Sequence, residues 1–368
     1  MNRRNLFGAA LALMATFGLL GCKEDKAGSE QTAAAAAAAP AQTIHWKMVT
    51  SWPKNFPGLG TAAERLAERI NAMSAGRLTV KVYAAGELVP ALEVFDAVSR
   101  GTAEMGHGTP YYWKGKVPAA QFFSSVPFGL STLEMNAWLS HGGGQALWDE
   151  TYAPFGVKPL SAGNTTMQMA GWFNKEINSL DDIKGLKIRM PGLGGEVWSK
   201  LGAITVNLPG GEIFTSLQTG AIDATDWVGP YNDLAFGLHK AAKYYYYPGW
   251  QEPQAVVESM VNQKAFDALP ADLQAIVVEA ARAATLDMMD DYVFNNAKAL
   301  GSLKAEGVQL KRLPDDVLQA MREQSAAVLE QLAAASDLNG RIWASQKAFL
   351  EEASAMQALT EKELYNWR

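Results

Sequence analysis

Two apolar periods alternate along the chain. Residues 43–52, TIHWKMVTSW, begin as a strand and run into the Pro/Gly loop WPKNFPGLG. Residues 61–76, TAAERLAERINAMSAG, put Leu66, Ile70 and Met73 on one helix face, and Gly76 stops the helix. RLTVKVYAAG then alternates as a strand does. The chain therefore opens β-α-β, the unit of a parallel sheet with right-handed connections. Residues 254–269 predict a strand and a turn. Residues 270–304 predict a long helix striped by Leu273, Ile276, Val277, Ala280, Ala284 and Met288, and residues 315–336 and 340–359 two more helices. Met288 and Met289 read as core filler.

The pattern also echoes itself. EVFDAVSRGTAEM (93–105) aligns without gaps on EIFTSLQTGAIDA (212–224), with Glu93/Glu212, Phe95/Phe214 and Gly101/Gly220 identical and Val94/Ile213 and Val98/Leu217 alike. Each copy reads as an amphipathic helix, a glycine C-cap and a short buried strand. Two lobes of like construction with a cleft between them follow. In open α/β sheets, ligands bind beyond the carboxyl ends of the strands.

Composition narrows the class. The 368 residues are 48% hydrophobic and 19% charged, an ordinary balance for a chain long enough to form two cored lobes. The net charge is −6, and no cluster of basic residues points to nucleic acid. One cysteine excludes an internal disulfide and a cysteine metal cluster, and His45, His107, His141 and His239 have no zinc spacing. Arg3 and Arg4 followed by the apolar run from Leu6 to Leu20 make a targeting leader, too short for a membrane span. LLGC, ending at Cys22, resembles a bacterial lipobox, which implies cleavage before Cys22 and lipidation of its thiol; NRRNLF also resembles a twin-arginine export signal. Residues 23–42, charged and then Ala-rich, lack apolar periodicity and read as a tether. The expected organisation is a leader over 1–21, a lipidated tether over 22–42, a first lobe over 43–165, a second over 166–252, and over 253–368 a return to the first lobe, a spanning helix and C-terminal helices.

Candidate chemistry gathers between Gln168 and Glu252. GLKIRMPG places Arg189 at the end of a buried strand, before a Pro-Gly turn. A guanidinium there offers a planar fork that fits a carboxylate. AIDATDWVGPYNDLAFG puts Asp226 and Trp227 directly after another strand; YYYYPGWQEP holds Glu252, and NTTMQMAGWF holds Gln168. Two carboxylates, an amide and a cation suit three chemistries: acid–base glycoside cleavage by Asp226 and Glu252, a hard-cation site, or capture of an organic acid. HExxH, GxSxG and GxxxxGK[ST] motifs are missing from the sequence.

WPKNFPG, GLKIRMPGLGGEV, LPGGEIFTSLQTGAIDATDWVGPYNDLAFG and YYYYPGWQEP together resemble the DctP-type solute receptors of TRAP transporters, closest to their 2-oxo acid branch. The resemblance runs from about Thr43 to Arg368. It implies an α/β, two-lobed binding protein with a long interlobe helix that closes on an organic acid such as pyruvate and passes it to a sodium-driven permease. It implies no enzyme. Arg189 would pair with the ligand carboxylate. A bridging sodium ion, or calcium, would be held by Gln168, Asp226, Glu252 and the Trp227 carbonyl, with Gln168 also touching the ligand. A well-known member of the branch has a glutamate where Asp226 stands, one methylene longer, which leaves the ion's identity open. Trp52, Phe56, Tyr112, Trp113 and Trp227 would wall the pocket. A dimer through swapped C-terminal helices is implied as well. A hydroxy acid such as lactate with calcium, a secreted hydrolase and a ligand-free sensory lipoprotein are the competing readings.

Overall fold

The computed structural model describes residues 43–368; the leader, Cys22 and the tether lie outside the described residues. Eleven strands are described: β1 (Ile44–Thr50), β2 (Leu78–Tyr83), β3 (Met105–Gly108), β4 (Val157–Asn164), β5 (Gly171–Phe173), β6 (Lys187–Arg189), β7 (Ile204–Val206), β8 (Ala224–Thr225), β9 (Tyr244–Tyr247), β10 (Val256–Asn262) and β11 (Gln309–Arg312). They build two sheets, ordered β2-β1-β3-β10-β4 and β11-β9-β5-β8-β6-β7. These are the two lobes that the sequence predicts.

The sequence echo has a topological counterpart. In the first sheet β1 runs parallel to β2 and β3, and β10 is antiparallel to β3 and β4. In the second, β6 runs parallel to β7 and β8, and β5 is antiparallel to β8 and β9. The helices Val94–Ser99 and Gly210–Gln218 precede β3 and β8, each through a glycine with φ of 74°. At that angle an L-residue's Cβ crowds the backbone, so glycine is the residue that turns the chain from helix to strand at Gly101 and at Gly220. The first helix runs Leu59–Met73; Leu66 and Ile70 are fully buried, whereas Met73, expected on the same face, is exposed.

The chain crosses between lobes over residues 165–170, from β4 to β5, and over 248–255, from β9 to β10. The segment after 253 sends β10 into the first sheet, and β11, beyond the long helix, joins the second sheet beside β9. The helix Ala271–Ala305 is about 52 Å long at 1.5 Å per residue. Leu273, Val277, Ala280 and Ala284 pack with Leu66 and Ile70, while Met288, Tyr292 and Leu303 join a cluster containing Trp52, Trp172 and Tyr245, from both lobes. The helices Asp315–Ala333 and Asp337–Leu359 follow. Met356, Leu359, Tyr365 and Trp367 near the C-terminus are exposed. Among the described residues no helix is long and apolar enough to cross a membrane.

Buried acids punctuate both cores. Asp233 accepts hydrogen bonds from the Trp172 indole and the Tyr245 hydroxyl, and burial still raises its pKa to about 6. Glu258, on β10, accepts from the Trp113 indole and the Tyr152 hydroxyl, and burial raises its pKa to about 8. Folded Glu258 keeps a proton that the unfolded chain releases near pH 4.5. Its penalty is absent below that pH, grows as pH rises, and levels off above about 8. Glu258→Gln should therefore match the parent's stability near pH 4 and exceed it by roughly 2 kcal/mol or more at pH 8. Urea unfolding of both proteins across that range checks this; parallel curves would contradict it.

Candidate functional site

The site begins with a short strand. Leu186 and Ile188 are buried, which anchors β6 between β7 and β8 and leaves Arg189 opposite Thr225 at the strand's carboxyl end. Met190 and Pro191 then end the strand, and the helix Gly192–Lys200 starts. Arg189 is 1% exposed. Its Nε donates to the Leu208 carbonyl at 3.1 Å, Nη1 to the Asp226 carbonyl at 2.9 Å and Nη2 to the Tyr112 hydroxyl at 3.3 Å. The guanidinium lies 5.5 Å from the Trp227 ring centre. Among the described residues no carboxylate reaches ion-pair distance of it. Burial works to lower its pKa, but Tyr112 and Asp226 outweigh that, so it stays charged.

The two acids flank this cation. Asp226 follows β8, 1% exposed, with its amide on the Arg189 carbonyl at 3.0 Å. Burial raises its pKa to about 7 despite the Arg189 charge. Its Oδ2 has no hydrogen-bond partner in the protein. Glu252 lies in the second crossing, 3% exposed; burial first and Asp226 second raise its pKa well above the carboxylate range. The Tyr111 hydroxyl approaches its Oε2 at 3.5 Å. Gln168 lies in the first crossing, and its amide nitrogen donates to the Thr165 hydroxyl at 3.0 Å, leaving Oε1 unpartnered. The backbones of Gln168 and Glu252 are bonded to each other at 3.2 Å.

Such a donor set fits a hard cation. Orphaned oxygens on Asp226 and Gln168 and a weakly paired Glu252 are oxygen donors, the type that sodium and calcium take. Among the described residues no group of three or more His, Cys, Asp or Glu gathers about one point, so the Gln168 amide and Trp227 carbonyl oxygens would have to complete a cation's shell.

Against these residues lies a narrow cavity. Trp52, Tyr112, Gln168 and Trp227 line it. Arg189, Asp226 and Glu252 are not on its open wall; the hydroxyls of Tyr112 and Tyr111 reach back to Arg189 and Glu252. Two of the aromatics expected on the wall lie off this cavity. Phe56 packs behind Trp227, 6.0 Å from it and 4.2 Å from Phe236 between ring centres. Trp113 turns into the first lobe's core, stacked on Phe95 and bonded to Glu258. Both give their rings to apolar packing that the flat pattern of aromatics could not distinguish from a wall.

The sequence reading missed Tyr111, Thr109 and Thr165, which line the cavity, and Gln251, whose amide lies 3.5 Å from Asp226 Oδ1. The echo held the signal for the first two. Its offset sets His107 opposite Asp226 and Gly108 opposite Trp227, so the residues just after β3 answer those just after β8.

Known proteins agree with this architecture. The bacterial extracellular solute-binding protein family 7 (DctP) matches residues 48–336. A monocarboxylate 2-oxoacid-binding periplasmic protein of Nostoc sp. is 42% identical over 367 residues, covering 100% of this chain and 99% of that protein. A TRAP periplasmic solute-binding protein from Colwellia psychrerythraea, solved with bound calcium and pyruvate, superposes with a TM-score of 0.87 at 40% identity, covering 89% of this chain and 100% of that one. One from Pseudoalteromonas atlantica, solved with sodium and pyruvate, gives 0.86 at 41%, covering 88% and 99%. The reading of Asp226 and Glu252 as a hydrolase's acid and base falls with this, since the family serves transport and not catalysis. On the match over residues 48–336 and the full-length relative at 42% identity, the chain belongs to the DctP family of bacterial extracellular solute-binding proteins.

Proposed function

We propose that this receptor captures a small 2-oxo monocarboxylate, pyruvate or 2-oxobutyrate, through Arg189 and a bridging cation, and hands it to a sodium-driven TRAP permease. The observation that carries this is Arg189 itself. A charge withdrawn from water needs an opposite charge or full hydrogen bonding, and three neutral acceptors, one at 3.3 Å, are a poor substitute for a carboxylate's two oxygens. A bound carboxylate would take the guanidinium edge now shared with Tyr112. The narrow cavity, with Trp52, Leu59, Val257 and Trp227 on its wall, favours a ligand of few heavy atoms and one charge.

The cation resolves an electrostatic conflict. Asp226 and Glu252 repel an anion unless something offsets them. The oxygens of Asp226, Glu252 and Gln168 with the Trp227 carbonyl would hold the ion, which would supply positive charge to a carbonyl or carboxylate oxygen of the ligand. With both acids ionised, Arg189 and calcium balance the acids and one ligand charge. With sodium the balance needs one further proton on either acid. Sodium is the ion proposed, and calcium the alternative. The pyruvate-bound relatives, one with each ion, support the ligand class. Lipidation at Cys22 would tether the receptor to a membrane, and the exposed C-terminal side chains Met356, Leu359 and Trp367 would suit a dimer contact.

Arg189→Ala should lose at least a hundredfold in pyruvate affinity by calorimetry while remaining folded; affinity near the parent's would refute the pairing. Replacing sodium by tetramethylammonium after chelation of calcium should weaken pyruvate binding at least tenfold, with recovery on adding either ion back. An unchanged titration would remove the cation from the account.

A further inference from the structure

We propose that Asn164 and Gln254, which do not line the ligand cavity, are positioning residues that pin the two interlobe crossings together and so set the spacing of Gln168 and Glu252. The proposal rests on the reading of those two side chains as cation donors.

The two crossings run side by side. Thr165 N donates to the Ala255 carbonyl at 3.0 Å and Gln168 N to the Glu252 carbonyl at 3.2 Å. Gly249 lies so close that a Cβ there would come 2.1 Å from the Gln168 carbonyl oxygen. Asn164, the last residue of β4, is fully buried, and Gln254 is 2% exposed. Asn164 Nδ2 donates to Gln254 Oε1 at 2.7 Å across 90 residues of sequence. Gln254 Nε2 donates onward to the Ser124 carbonyl at 2.8 Å, and Asn164 Oδ1 accepts from Thr166 N at 2.9 Å. Both amides are thus engaged at both ends. The tie carries no charge, so it holds without regard to salt or pH.

Thr166 shows how firmly the crossing is held. Its φ of 59° is left-handed, a conformation that β-branched residues avoid and that persists where the surroundings over-determine it. The Asn164 side chain bonds the amide of that very residue. Two residues further on, Gln168 presents its free oxygen; two residues before Gln254 stands Glu252. Cation donors need their geometry fixed to a fraction of an ångström by groups that do not themselves touch the ion. Without the pin, the crossings can slide and the two donors part, while Arg189, held from β6 and the Leu208 and Asp226 carbonyls, stays in place.

The test compares the parent with Gln254→Met, which keeps volume but breaks the tie, and with the exchanged pair Asn164→Gln/Gln254→Asn, which restores an amide at each end. Pyruvate is titrated calorimetrically in sodium medium and in calcium-free tetramethylammonium medium, with melting curves to show each protein folded. The expected result is a loss of tenfold or more for Gln254→Met in sodium, less than threefold in tetramethylammonium, and recovery to within threefold of the parent by the exchanged pair. Equal losses in both media, or none, would overturn the pin, because general loosening does not single out the cation-dependent part. If the parent itself ignores sodium, the cation reading fails, and the pin is judged by rescue alone: equal affinities for Gln254→Met and the exchanged pair would overturn it. Should Gln254→Met fail to fold, a folded exchanged pair that binds tenfold more weakly than the parent in sodium overturns the proposal, and one within threefold supports it.

Discussion

A guanidinium buried without a carboxylate is the constraint around which the cleft is organised. Arg189 is held from behind by backbone carbonyls of Leu208 and Asp226, so its head cannot swing to solvent without giving up two hydrogen bonds. Only the Tyr112 contact, long and neutral, comes from the opposite lobe. The backbone thus fixes the charge, while its remaining edge faces the opposite lobe. Desolvating a charge is unfavourable by several kcal/mol, and an anion brought to that edge offsets it more fully than a hydroxyl does. On the proposed reading, the same edge that now meets Tyr112 across the cleft would be the one that selects the ligand.

Other interlobe contacts share this arrangement. Lys114, one residue past the Tyr111–Tyr112–Trp113 turn, reaches Glu196 at 3.0 Å and the Gly192 carbonyl at 3.2 Å on the helix that follows Arg189. Gly192, with φ of 61°, lets the Tyr111 ring approach closely; a Cβ would lie 3.2 Å from it. Asn232 donates to the Pro57 carbonyl while accepting from Tyr292 on the long helix. Half-exposed ion pairs such as Lys114–Glu196 contribute little each.

Much of this was legible in the chain. The echo between residues 93–105 and 212–224 became two sheets with matching strand roles, because a glycine C-cap at a fixed distance before a buried strand constrains topology. Arg189, Asp226 and Trp227 were readable because strand-end positions follow directly from local pattern. Gln168 and Glu252 stood out only as polar residues among apolar and aromatic neighbours, and their expected role as cation donors came from the family resemblance, since crossings have no periodicity of their own. The rest depended on tertiary pairing. Tyr111 and Tyr112 face the site and Trp113 faces the core because a tight turn fans three consecutive rings apart. The Asn164–Gln254 tie joins residues 90 apart, and nothing in either local sequence announces it. β11 was missed for a similar reason: its place beside β9 is set by the long helix that carries the chain back across the molecule.

The most direct measurement is a crystal structure of the protein grown with pyruvate and sodium. The account predicts both carboxylate oxygens of pyruvate within hydrogen-bond distance of Arg189, and an ion held by Asp226, Glu252 and Gln168 against the ligand. A pyruvate whose carboxylate lies away from Arg189, or an Arg189 head turned into bulk water, would contradict it.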